Sequence, residues 1–125
     1  MIDESKLKYT IEAVDEIIAP HEYYNDLGAG KAAQRTQDRL DAGNEWAWCS
    51  VRLTCEHKDY PFLEGVTYLG CCSYDSENDF VMNSGYIETM KDEARQCLED
   101  EMINYIRRAG ALQEELDWLS EKGDC

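Results

Sequence analysis

Apolar and polar positions alternate most clearly between Trp46 and Tyr74, in the run WAWCSVRLTCEHKDYPFLEGVTYLGCCSY. Ala47, Cys49, Val51, Leu53 and Cys55 take every second place against Trp46, Trp48, Ser50, Arg52 and Thr54, the period of a strand with one apolar face. After EHKDYPFLEG, a connection longer than a tight turn, a second strand follows. The pair predicts an antiparallel hairpin over about 46–56 and 66–73. Pairing Cys55 with Val66 would set Cys49 beside Cys72, but a one-residue slip would turn every side chain to the opposite face, so the register stays open. The tryptophans on the second face need a cover, whether a helix, a third strand or a partner.

The flanks carry a helical period instead. Leu7, Ile11, Val14 and Ile18 are spaced by four, three and four, with Lys6, Lys8, Glu12, Asp15 and Glu16 off the stripe, which predicts an N-terminal helix ended by Pro20. HEYYNDLGAG reads as an irregular crossing, and KAAQRTQDRLDA (31–42) as a second helix with Gly43 placed for a left-handed C-cap. Asp75 to Asp79 can cap a short turn, and a long helix is predicted over about 85–121. Within it Leu98, Met102, Tyr105, Ala109, Leu112, Leu116 and Leu119 alternate spacings of four and three, a coiled-coil-like seam. The seam has two readings: packing against the N-terminal helix, or a homodimer interface. Gly110 weakens this helix by up to about 1 kcal/mol and marks a bend or a close helix contact. An isolated two-stranded sheet is marginal in water, so the hairpin must lean on these helices. The expected architecture is α+β, with residues 1–125 as one domain.

Charge narrows the choice of partners. The chain has 27 acidic and 12 basic residues, a formal charge of -15. Such a field repels nucleic acid and anionic membranes, so direct nucleic-acid or membrane binding is not expected and a basic protein surface is the natural partner. The excess is spread out: 5 basic against 9 acidic residues over 1–44, 2 against 7 over 45–82, and 5 against 11 over 83–125. Carboxylates distributed this way sit on folded elements, which a mimic of a phosphate array requires. No apolar run approaches the roughly 18 residues of a membrane span, and MIDESKLKYT lacks the apolar core of a signal peptide. The expectation is a cytosolic protein whose six cysteines stay reduced.

Candidate chemistry is sparse. Cys71 and Cys72 are adjacent, so a strand would point them to opposite faces. Cys55, His57 and one of that pair could supply three zinc ligands, but neither a CxxC nor an HxxxH pair is present. A Cys72 nucleophile with His57 as base has no surrounding oxyanion loop, and GAGKA lacks the spacing of a phosphate loop. The expectation is no catalytic residue, no metal and no cofactor. The carboxylates are more informative together. On the last helix Glu88, Asp92, Glu99, Asp100, Glu101, Glu114, Glu115, Asp117 and Glu121 make a negative surface read as continuous, and it is expected to bind the partner together with Asp75, Glu77 and Asp79 in one loop, with Trp46 or Trp48 as apolar anchors if exposed.

WAWCSVRLT, LEGVTYLGCCSYDSENDF and GYIETMKDEA, between Trp46 and Ala94, together resemble a recurrent pattern among small uncharacterised proteins of tailed bacteriophages. The resemblance implies a phage or prophage setting and carries over no functional residue. In that setting the acidic surface suggests an inhibitor of a host nucleic-acid-binding defence protein, of anti-CRISPR or anti-restriction type, in the cytoplasm of the infected bacterium. The other readings are an oligomeric scaffold protein using the seam and, less favoured, a small metal- or thiol-dependent enzyme.

Overall fold

The structure, a computed structural model, describes residues 3–25 and 30–123. Its elements are β1 (Leu7–Val14), α1 (Pro20–Asn25), α2 (Gly30–Asp41), β2 (Cys49–His57), β3 (Tyr60–Cys72), α3 (Glu77–Asn83) and α4 (Ile87–Gly123). The strands form one antiparallel sheet in the order β1-β2-β3, and with the helices this is the α+β architecture that the sequence predicts.

The predicted N-terminal helix is a strand. Leu7, Ile11 and Val14 do fit a helical stripe, but Leu7, Tyr9, Ile11 and Ala13 also fit the two-residue period, and those four pack on the core. Tyr9, Thr10, Ile11 and Val14 favour strand on propensity. Pairing decides between the periods: β1 aligns with β2 from Leu7↔His57 to Val14↔Ser50 and supplies the third strand that a marginal hairpin lacks. Pro20, expected to end a helix, instead opens α1, where its missing N–H costs nothing.

The hairpin turn is tight. β3 begins at Tyr60, so only Lys58 and Asp59 link the strands, and the Asp59 amide donates to His57 Nδ1 at 3.0 Å. Lys6 Nζ ties the turn to the N-terminal segment through Asp59 at 2.7 Å. The register sets Cys55 opposite Gly65, one residue from the Val66 pairing considered from sequence, yet Cys49 does face Cys72. A bulge reconciles the two: the pairing shifts between Cys49 and Val51, and Cys71 takes a left-handed φ of 54° there. Glu16 closes the bulge, accepting from the Cys71 amide at 2.7 Å. Burial works to raise the Glu16 pKa, but donation from Cys71, Ile17 and Ile18 outweighs it and holds the carboxyl below its ordinary range.

Residues 46–48 precede the strand. Asn44 Oδ1 accepts from the Trp46 amide at 3.1 Å and starts a single 3-10 turn, Glu45–Ala47. Both tryptophans are buried. Trp48 packs against Tyr23 and Tyr24 of α1 and donates from Nε1 to the Ile18 carbonyl at 2.7 Å. Trp46 stacks on Phe80 of α3, which also meets Tyr74 edge-on. α2 closes as expected: Gly43 has a φ of 99°, and the Gly43 and Asn44 amides return to the Leu40 and Arg39 carbonyls.

α4 covers one face of the sheet. Met90, Ala94 and Leu98 are buried against Val51, Leu53 and Cys55. The backbones come close over Gly65, where a methyl group would overlap the Ala94 carbonyl oxygen and the Leu98 amide. Polar ties fix the helix laterally: Glu93 accepts from the Thr67 hydroxyl at 2.8 Å, Lys91 lies 5.4 Å over the Tyr9 ring, and Arg95 pairs with Glu4.

Candidate interaction surface

The predicted seam has two environments. Leu98 is fully buried and Met102 half-buried, but Tyr105, Leu112, Leu116 and Leu119 are 41–59% exposed, and Ala109 is exposed as well. From Ile103 to Leu119 every described side chain of α4 is exposed. At a 1.5 Å rise per residue this stretch carries the helix about 25 Å past the last buried turn. Where it leaves the body, Tyr105 meets Phe62 at 4.9 Å and Tyr60 at 6.1 Å, centroid to centroid. The N-terminal helix expected to cover the seam is a strand in the sheet, so Leu98 and Met102 pack on the sheet instead, and beyond Tyr105 the row stays exposed.

Trp46 and Trp48, expected as apolar anchors only if exposed, are 9% and 4% exposed, pack against α3 and α1, and do not meet that condition.

The predicted acidic residues separate by what they do. Asp75 pairs with Arg39 at 2.7 Å, and Asp79 accepts from the Asp75 amide at 2.9 Å and from Asn83. Those hydrogen bonds and the nearby Arg39 hold the Asp79 carboxyl below its ordinary range despite slight desolvation. Both residues fix the approach to α3, whose N-cap is Ser76. Asp92 pairs with Arg95 at 3.1 Å. Glu77, Glu88, Asp100 and Glu101 are exposed, with Glu99 half-buried. The negative surface of α4 is not continuous. Ile103 to Ala111 contains no carboxylate and carries Arg107 and Arg108, which divide an inner cluster ending at Glu101 from an outer one beginning at Glu114.

The described cysteines are all free thiols. Burial pushes Cys49 up to about 12 and Cys72 to about 11, so both stay protonated at neutral pH. Burial raises Cys55 as well. Cys72 lies opposite Cys49, six residues along β2 from Cys55 and eight from His57, which separates it and the adjacent Cys71 from them by about 20 Å or more. The three-ligand zinc arrangement considered from sequence is thus not assembled. Among the described residues no three His, Cys, Asp or Glu side chains gather as a metal-ligand set. A groove of about 600 Å³ runs between the hairpin turn and α4, lined by Lys6, His57, Asp59, Tyr60, Met102 and Ile103 among others. It lies beside the start of the projecting segment.

Among the described residues no helix is long and apolar enough to cross a membrane. No protein-family model, curated protein or solved structure matches the chain.

Proposed function

We propose that this protein is a non-catalytic, phage-encoded accessory protein that binds a basic surface on a host nucleic-acid-binding defence protein, acting in the cytoplasm of the infected bacterium. The observation that carries this reading is the inner half of α4. Between Glu88 and Glu101 it holds six acidic against two basic residues, a net of -4, on a helix pinned over the sheet by Gly65, Thr67 and Tyr9. Carboxylates fixed in this way lose little entropy on docking, and a chain of this charge is steered toward basic surfaces.

Magnitude limits the form of mimicry. A net of -4 over about 20 Å of helix is one charge per about 5 Å, against one per about 1.7 Å along duplex DNA. This density supports blocking a basic patch more than standing in for a duplex. The test is retention of host proteins on the immobilised chain, eluted by rising salt. The reading predicts a basic nucleic-acid-binding protein that is displaced by added nucleic acid and is no longer held by the combined Glu88→Gln, Glu99→Gln, Asp100→Asn variant. It is wrong if no such protein is retained, or if retention is indifferent to salt and to those substitutions.

A further inference from the structure

The apolar row that seats α4 on the sheet continues past the sheet. Met90, Ala94 and Leu98 are buried, Tyr105 leaves the body against Phe62 and Tyr60, and Ala109, Leu112, Leu116 and Leu119 prolong the same face into solvent. A helical segment of this length is marginal in water by itself, since most helical stability comes from packing an amphipathic face. We propose that the occupant is a second copy of this chain: the outer halves of two α4 helices pair antiparallel about a two-fold axis between Gly110 and Ala111. This inference does not depend on the acidic-partner reading.

Charge selects a second copy over a basic partner for this segment. The chain carries -15, yet from Ile103 to Leu119 two arginines face three carboxylates, a net of only -1. The apolar face therefore lies on the stretch of α4 least repelled by another copy of itself.

The arrangement of those charges selects the orientation. Glu101, Arg108 and Glu115 recur every seven residues, each just before a seam position, so they share one edge of the apolar row. In an antiparallel pair that edge meets the same edge of the partner helix, and the register that centres the axis brings Arg108 of each copy against Glu115 of the other. Two symmetric ion pairs result. In a parallel pair the edge would instead meet Glu99, Ile106 and Gln113, and Arg108 would face Gln113 with no counter-charge. The same antiparallel register stacks Ala109 on Leu112, Tyr105 on Leu116 and Met102 on Leu119, setting the smallest side chain of the row against a large one. It also sends the two folded bodies to opposite ends of the paired segment, about 25 Å apart. That exceeds the roughly 8 Å screening length at physiological salt, so the remaining negative charge opposes association weakly.

Sedimentation equilibrium of the full chain over a range of concentrations tests this, with far-ultraviolet circular dichroism reporting the fold of each variant. The native chain is expected to be a reversible dimer, and the doubly substituted Leu112→Asp, Leu116→Asp variant a folded monomer. Arg108→Glu and Glu115→Arg should each weaken association roughly tenfold, since each replaces two attractive pairs by two repulsive ones. An equimolar mixture of these two single variants should associate as tightly as the native chain, because each mismatched charge then finds its complement. A chain that stays monomeric at every concentration overturns the proposal, as does association that survives the two aspartates. Association in which the mixed variants show no rescue overturns the antiparallel register. Dependence of α4 on an added protein of different sequence, with no self-association, assigns the face to another occupant and overturns it too.

Discussion

The two halves of α4 share one apolar period and meet opposite surroundings. Over Met90, Ala94 and Leu98 the stripe is sealed against Val51, Leu53 and Cys55, with Gly65 letting the backbones close up. Over Leu112, Leu116 and Leu119 the same spacing faces solvent. Helical periodicity thus reports a need to be covered and says nothing of what does the covering. In the inner half the sheet meets that need; in the outer half Leu112, Leu116 and Leu119 stay more than half exposed.

Substitutions that fall on either side of this divide should separate cleanly. Leu98→Ala leaves a cavity in the sealed half and should cost about 3 kcal/mol of unfolding free energy, read by urea denaturation. Gly65→Ala should cost about 2 kcal/mol by the opposite route, since the added methyl must push α4 off β3. A loss near zero at Gly65 would mean that α4 does not close on β3 at this position. Glu16→Gln probes the far end of the sheet and should cost about 1 kcal/mol at neutral pH by weakening the cap on the Cys71 amide. Because the folded-state pKa of Glu16 lies below its unfolded value, this contribution is complete above the ordinary carboxylate range and disappears as pH falls through the lowered value. Native and variant chains should therefore converge in stability in acid. Glu16→Gln should also add to Leu98→Ala, the two sites sharing no partner. Leu116→Ala, in dilute protein, should change unfolding free energy by less than about 0.5 kcal/mol, because its side chain is exposed in the single chain.

Much of the inner half's frame was legible in the sequence, and the reason is locality. α2 and its Gly43 cap follow from a short window of composition and one glycine, and the long helix follows from an unbroken run without proline. The central strands follow from alternation. What was not legible depended on contacts far along the chain. Residues 7–14 satisfy helical and strand periods together, and only pairing with β2 chooses between them. The bulge that keeps Cys49 opposite Cys72 while Cys55 faces Gly65 needs Glu16, 55 residues from Cys71, to hold it. Burial of Trp46 and Trp48 depends on α1 and α3, whose positions no local pattern encodes. The interruption of the acidic surface at Arg107 and Arg108 was visible in the sequence, but it gains meaning only when the apolar face beside it proves to be exposed.

Hydrogen exchange along α4 of the full chain, followed at low and at high protein concentration, compares the two halves directly. Amides from Met90 to Leu98 should be slow in both samples. Those from Tyr105 to Leu119 should exchange fast in dilute protein and become slow in concentrated protein. An outer half as protected as the inner one at dilution, or unprotected at every concentration, would contradict the account.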